Sequence, residues 1–374
     1  MHRIKELDGI RGIAILLVLM WHYIAVQAQP RTAVQYLSLT WSGVDLFFVL
    51  SGFLIIGILL DVKGSESYFR TFYVRRACRI LPLYLVVLFL YIAIPLVIQT
   101  PGKWLFADEH LPLLSYITFT QNFFMHTSGF GSKWLAATWS LAIEEQFYLL
   151  IPLVVWRLNH RQLLVVFICL ICAAPIFRFI FGNLGAYVFP FARADSILMG
   201  GVLAIALRIP GVHALLSEYY KYLVGIFFVF LLGVIVLTLK LAGVGDVFTH
   251  LWLAVFFCLF ICVFILRTGN PFNDMFISNS VFVWLGLRSY AIYLLHQPVS
   301  GLSHYYLNGR DTPSFSSFSE FYATVFALLI VLLLAEISYR YFETIFISYG
   351  KRFTYEKSGK DIRNTTNITP ATET

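Results

Sequence analysis

Ten apolar runs of about 20 residues constrain this chain more than any other feature. Each run is long enough to cross the hydrocarbon of a bilayer as a helix. There the backbone must satisfy its own hydrogen bonds, since no water is present to do so. The runs fall at 10–28, 42–62, 80–100, 138–157, 162–181, 194–209, 222–241, 247–267, 281–300 and 321–347, the last passing beyond the membrane. Composition agrees: 59% of the 374 residues are hydrophobic and 13% are charged, against about a quarter charged in soluble proteins. The mean hydropathy is +0.78. The expected fold is therefore all-α: one polytopic membrane helix bundle over 1–350, with Gly200-Gly201 in the short sixth run allowing close helix contact.

The net charge of +7 is not gathered into one basic patch, so nucleic acid is not an expected partner. Basic residues alternate with the apolar runs. With the N-terminus inside, 19 Lys and Arg lie on the inner side and 7 on the outer, with Arg340 inside the last run. That bias puts both termini in the cytoplasm and makes the chain a multi-pass protein of the membrane. Residues 351–374 read as a disordered cytoplasmic tail, where the sequons at Asn364 and Asn367 carry no meaning. The 101–137 loop is rich in aromatics, including Trp104, Phe130 and Trp134. It reads either as an interfacial belt or as a platform for an outer substrate. Five cysteines sit mostly in apolar runs and read as packing residues, with no zinc site and no disulfide expected; Cys78, near a basic loop, is the one reactive candidate.

Charged residues inside the runs are the functional candidates, because burying them in lipid is costly. The stretch Leu7–Tyr23 carries Asp8, Arg11 and His22. Eleven positions at ~100° bring Arg11 and His22 onto nearly one helix face, roughly 16 Å apart along the axis, a fit for something long lying along the helix. Taken singly, Arg11 is also readable as a positive-inside anchor and His22 as a hydrogen-bonded core histidine; a cleaved signal peptide ending near Val26-Gln27-Ala28 conflicts with Asp8 and Arg11 at the start of the apolar run. Counted down from the outer ends of their runs, His22, Asp45, Glu144 and Glu145 fall at comparable depth. An imidazole within reach of a carboxylate is a general-base arrangement, and Glu144 and Glu145 point about 100° apart, so one of the two faces the histidine. The alternative is a structural polar network between helices. Arg75, Arg76 and Arg79 cluster before the third run, Arg76 and Arg79 on one helix side; they suit phosphate, or anionic lipid. There is no phosphate loop of an ATPase. Arg193, Asp195 and His296 border the outer side as acceptor-cavity candidates, and Arg340 with Glu343 reads as a polar clamp between helices.

Together these motifs resemble acyltransferase family 3, the membrane-bound acyltransferases. The matching stretches are LDGIRGIAILLV with Arg11 and His22 spaced as in the family, GVDLFFVLSGFLI at 43–55, FYVRRACRILPLYL at 72–85, TWSLAIEEQFYLLIP at 138–152, RADSILMGG at 193–201, LGLRSYAIYLLHQP at 285–298 and YRYFE at 339–343. They cover most of the chain in one order. The resemblance implies that His22 is catalytic, that Arg11 is essential, that Arg76 and Arg79 bind acyl-CoA and that the Glu144-Glu145 motif takes part. It further implies transfer of an acyl group, often acetyl, from cytoplasmic acyl-CoA as co-substrate to a hydroxyl of a cell-surface carbohydrate or glycolipid. No bound cofactor or metal is implied, and the localisation is the bacterial inner membrane among its lipids. The likeness is to the form without an added C-terminal SGNH-hydrolase-like domain.

The expected chemistry has Arg76, Arg79, Arg75 and Arg11 holding CoA phosphates, and His22, oriented by Asp45, Glu144 or Glu145, taking the acceptor's proton. An acyl-imidazole on His22 is an alternative relay. Two rival readings stay open: a transporter or flippase built on the same buried charges, and an acyltransferase with a lipid, amine or secondary-metabolite acceptor.

Overall fold

A computed structural model describes residues 4–28, 36–97, 104–106, 111–239 and 247–356. Arg3, Arg31, Lys103, Lys240, the two sequons and the tail from 357 lie outside these residues. In chain order the helices are α1 Lys5–Met20, α2 Gly43–Asp61, α3 Tyr68–Val97, α4 Leu113–Ile117, α5 Gln121–Ser128, α6 Lys133–Ala136, α7 Thr138–Arg157 and α8 His160–Val188. There follow α9 Ala194–Ala206, α10 Val212–Glu218, α11 Tyr220–Leu239, α12 Thr249–Ile265, α13 Pro271–Phe276, α14 Ser280–Asn308, α15 Phe318–Ser338 and α16 Thr344–Lys351. Wide π turns, Trp21–Ala25 and Tyr339–Glu343, continue α1 and α15. Among the described residues there is no β-strand, only an isolated bridge between Ala28 and Phe315.

Among the described residues, six helical segments are long and apolar enough to cross a membrane: Lys5–Ala25, Thr40–Asp61, Tyr68–Val97, His160–Val188, Tyr220–Leu239 and Phe318–Lys351. The four other expected spans are helical too, as α7, α9, α12 and α14, but they are shorter or more polar. The outward faces are apolar: Phe89, Leu96, Leu149, Phe179 and Leu232 are all exposed, and α11 buries none of its residues. Surfaces so apolar are stable only against lipid or another protein. The chain is an integral membrane protein.

Helix ends follow local chemistry. Asn159 and Gln162 cap α8 reciprocally, each side chain taking the other's backbone N–H at 3.0 Å. Asn279 Oδ1 accepts from Phe282 N at the start of α14. That helix runs through Pro298 to Asn308, past the expected end at 300, and stops where Gly309 adopts φ +62°. Proline is tolerated in such helices because neighbouring groups can satisfy the freed carbonyl.

The bundle is drawn together by backbone approach at glycine. A Cβ on Gly200 would lie 1.8 Å from Val49 O, which brings α9 onto α2. A Cβ on Gly286 would lie 1.8 Å from Asp8 O, which brings α14 onto α1. Between α14 and α15, Arg288 pairs with Glu336, whose other oxygen takes Arg340 from the next turn of its own helix. Glu343 accepts from Ser338 instead. The expected Arg340–Glu343 clamp is therefore an Arg288–Glu336–Arg340 triad: four residues is the helical reach from 336 to 340, and α14 supplies the interhelical cation. Residues 352–356 fold back along α3. Thr354 O accepts from Thr71 and Ser67, and Glu356 N donates to Ser67 Oγ.

Candidate active site

His22 sits in the π turn that follows α1. Such wide turns are uncommon and recur at functional sites. Its Nδ1 lies 3.0 Å from Val18 O. A carbonyl only accepts, so Nδ1 carries the proton and neutral His22 keeps its lone pair on Nε2. The half-buried ring lines a cavity of about 780 Å³ with Trp41, Trp104, Trp139, Lys133 and Tyr187.

His296 enters this cavity wall from α14, its ring 4.7 Å from that of His22 at 66°. Its Nδ1 likewise faces a carbonyl, Tyr293 O at 2.7 Å, and its buried Nε2 has no hydrogen-bond partner among the described residues. Two further contacts tie the end of α1 to α14. Gln27 Nε2 donates to His22 O at 2.6 Å and to Ser300 Oγ at 3.2 Å. Tyr23 OH donates to His296 O at 2.9 Å. Neither Gln27 nor Tyr23 stood out in the sequence, because a polar residue near the end of an apolar run looks like an interfacial one.

A second cavity, of about 110 Å³, is lined by Arg11, Arg76, Arg79, Ser51, Glu144 and Tyr148. Val44 and Tyr293 line both cavities, so the two are neighbours along α1. Tyr293 OH is held by Ser140 Oγ at 2.5 Å and by Ala137 O at 2.9 Å. Three guanidiniums thus converge on one small space. Arg11 pairs with Asp8 at 3.2 Å, and Arg76 lies over the rings of Phe72 and Tyr148. Among the described residues Arg79 makes no ion pair.

The expected carboxylate partners of His22 are elsewhere. Glu144 accepts from Ser51 Oγ at 2.8 Å and from Tyr148 OH at 3.3 Å, in the smaller cavity with the arginines. Glu145, a step of about 100° further along the helix, is not among the residues that line either cavity. Asp45 belongs to a third place. Its Oδ1 takes Arg193 Nη2 at 2.6 Å, Ser196 Oγ at 2.8 Å and His250 Nδ1 at 3.3 Å, all fully buried between α2, α9 and α12. A backbone carbonyl, not a carboxylate, orients His22.

Arg193 and Asp195 are correspondingly not on the cavity surface. The Arg193 guanidinium backs the aromatic wall, 5.8 Å from the Trp139 ring centre and 5.2 Å from that of Tyr187. Asp195 binds Arg178 at 2.8 Å, and Arg178 also donates to Ala192 O and Val247 O. Burying these charges is tolerable because each is paired and hydrogen-bonded. Arg178 and His250 were not singled out in the sequence; Arg178, near the outer end of the run 162–181, was counted only among the outer-side cations. Arg75 departs from the arginine cluster as well. Its Nε donates to Phe353 O at 2.8 Å and its guanidinium lies over Tyr355, so it faces the returning C-terminal segment and not the cavity.

A profile of the acyltransferase domain matches residues 4–340. The O-acetyltransferase OatA of Staphylococcus aureus (strain NCTC 8325 / PS 47) is 30% identical over 365 residues, 90% of this chain and 56% of that protein. A second protein of that species (strain COL), provisionally named an O-acetyltransferase, is 28% identical over 374 residues, 94% of this chain and 58% of its own. The chain thus spans little more than half the length of these relatives. No solved structure matches it. With one profile running through all the helices that build both cavities, and relatives aligned over nine-tenths of its length, the chain belongs to acyltransferase family 3.

Proposed function

We propose that this protein is a membrane O-acetyltransferase of the bacterial plasma membrane. It takes an acetyl group from acyl-CoA at the cytoplasmic face and passes it to a hydroxyl of a cell-surface or exported carbohydrate. In this reading all ten helical segments span, both termini are cytoplasmic, the arginine-lined cavity opens inward and the aromatic one outward. The observation that carries it is the adjacency of the two cavities, one walled by Arg11, Arg76 and Arg79 and the other holding His22 with its tautomer fixed. The names of the staphylococcal relatives supply acetyl as the group transferred.

Arg76, Arg79 and Arg11 hold CoA phosphates, whose oxygens match guanidinium forks. The pantetheine arm then runs past Val44 and Tyr293, over roughly the 16 Å that separates residues 11 and 22 on a helix, and presents the thioester beside His22. His22 Nε2 accepts the proton of the acceptor hydroxyl as its oxygen attacks the thioester carbon. The C–S bond breaks, and the proton passes from Nε2 to the leaving sulfur, giving CoA-SH and an ester. The Val18 carbonyl stabilises the transient imidazolium through Nδ1–H, in the place a carboxylate takes in other general-base sites. Glu144, held by Ser51 and Tyr148, sets the charge balance among the arginines.

The test is transfer of label from acetyl-CoA to a surface-glycan extract by the purified protein in liposomes, wild type beside His22→Ala. Wild-type transfer falling at least a hundredfold in a folded mutant is the expected result. A fully active His22→Ala would sink the mechanism. Flux of a glycan without consumption of acyl-CoA would replace the reading by a transporter.

A further inference from the structure

Lys133 lines the larger cavity, and the proposed mechanism leaves it unused. It opens α6, and its place is rigid. Ser132 Oγ accepts from Trp134 N, Lys133 N donates to Trp104 O, and the buried Trp134 ring donates from Nε1 to Val87 O. The Lys133 ammonium lies 5.4 Å from the centre of the Phe130 ring, on the wall that also carries Trp104 and His22. Among the described residues it has no ion pair and no hydrogen bond from its amino group. The other cation of the wall, Arg310, already has Glu320 at 3.3 Å; Asp311, from the same segment as Arg310, is the carboxylate of the wall.

A half-buried ammonium without a counter-ion is an uncommon arrangement, since lost hydration is ordinarily recovered through a partner. Burial pushes this amine below the usual lysine range. Here the amine lines an open cavity that it shares with His22 and with the aromatic residues Trp41, Trp104 and Trp139. A bound anion would repay the desolvation and complete the hydrogen bonding of the group.

We propose that the acyl acceptor is an anionic carbohydrate, bearing a carboxylate or a phosphate, and that Lys133 binds this group while His22 takes the proton of the reacting hydroxyl. The inference rests on the acyl-transfer reading above for the location of the acceptor, and it narrows the substrate class. A charge-assisted contact of this kind supports roughly ten- to a hundredfold in kcat/KM. It also carries a pH sign. Binding an anion raises the pKa of Lys133, so affinity for charged acceptors is full below the depressed value of the free amine. It declines as pH rises through that value, starting at lower pH than an ordinary lysine would give.

The experiment offers three oligosaccharides of equal length, one neutral, one with a glucuronate and one with a phosphate, to full-length wild type, Lys133→Gln and Lys133→Arg in liposomes with labelled acetyl-CoA. Wild type should prefer a charged acceptor through KM. The ratio of kcat/KM for charged over neutral acceptor should drop ten- to a hundredfold in Lys133→Gln and return in Lys133→Arg. The two charged arms tell carboxylate from phosphate. No preference in wild type overturns the proposal. So does an equal loss on charged and neutral acceptors, which would place Lys133 on the reacting oxygens instead. Quenching of tryptophan fluorescence by the same sugars without acetyl-CoA reads binding alone, since Trp41, Trp104 and Trp139 line the cavity. Charge-selective quenching lost in Lys133→Gln, with no label transferred, would retain this site and reject the acyl-transfer reading; absence of charge-selective quenching would reject the site.

Discussion

Replacing Asp45 by alanine separates a structural carboxylate from a catalytic one. Asp45 and Arg193 are fully buried and 2.6 Å apart, with Ser196 and His250 also on the carboxylate's Oδ1. Removing Asp45 leaves the Arg193 guanidinium with aromatic faces and His250 but no anion. Breaking a buried pair in this way costs about 3–5 kcal/mol, or about two to three and a half powers of ten in the folded population. The assay is a titration with SDS in mixed micelles, followed by tryptophan fluorescence, beside label transfer per folded molecule. Asp45→Ala should unfold at much lower SDS. Asp45→Leu combined with Arg193→Met should regain a large part of the loss, because neither charge is then left alone in the interior. Turnover by the molecules that remain folded should drop less than tenfold, since Val18 O and not Asp45 holds His22. An Asp45→Ala protein as resistant as wild type yet unable to transfer label would refute this reasoning and return the carboxylate to the chemistry of His22.

Arg76→Gln and Arg79→Gln should each raise KM for acyl-CoA about tenfold or more, the worth of a charge-assisted phosphate contact; Arg75→Gln should change it less than threefold, because Arg75 is engaged by Phe353 O and Tyr355. Initial rates against acyl-CoA concentration check all three, and a ranking with Arg75 as the most damaging would contradict the cavity assignment. Gln27→Ala removes donors to His22 O and Ser300 Oγ. It should lower kcat about tenfold with little change in KM for acyl-CoA, as a displaced general base acts on the chemical step; steady-state kinetics with both substrates varied would expose a pure KM effect as the wrong outcome.

What was readable in the sequence is what local signals encode. Apolar runs placed the helices, and intramembrane charge singled out Arg11, His22, Asp45 and the pair Glu144 and Glu145 without choosing between the two. The spacing of Arg76 and Arg79, three residues on one helix side, brought both to the same cavity. Partners were not readable. Arg193 is 148 residues from Asp45, and His250 is 205 away; nothing near either residue reports which helix it will face. The polar clamp expected at Arg340 and Glu343 forms through Glu336 instead, since the cation that reaches across is Arg288, on α14. Lys133 was counted as one more loop cation. Its difference from the others lies in the rings packed around it, a property of the fold and not of the local sequence.

Depth and direction carry unequal weight in such a site. Counting residues from the span ends set His22, Asp45, Glu144 and Glu145 at one level, which invited a carboxylate partner for the imidazole. Level alone does not bring side chains together, because a helix turns ~100° per residue. Asp45 and Ser51 are six positions apart on α2, so they point roughly 120° from each other. Ser51 faces α7 and binds Glu144, which directs Asp45 away from α7 and onto α9 and α12. One helix thus serves two polar clusters with opposite tasks. On one face a paired charge is sealed between helices. On the other, a hydroxyl steadies a carboxylate beside arginines that line an open space. The same geometry explains why His22 is held by a carbonyl. Its π turn sets the ring over Val18 O within its own helix, so the imidazole is oriented by the helix backbone that carries it. No neighbouring helix has to deliver a buried carboxylate, with its desolvation cost, to the wall where the proposed mechanism places the acceptor.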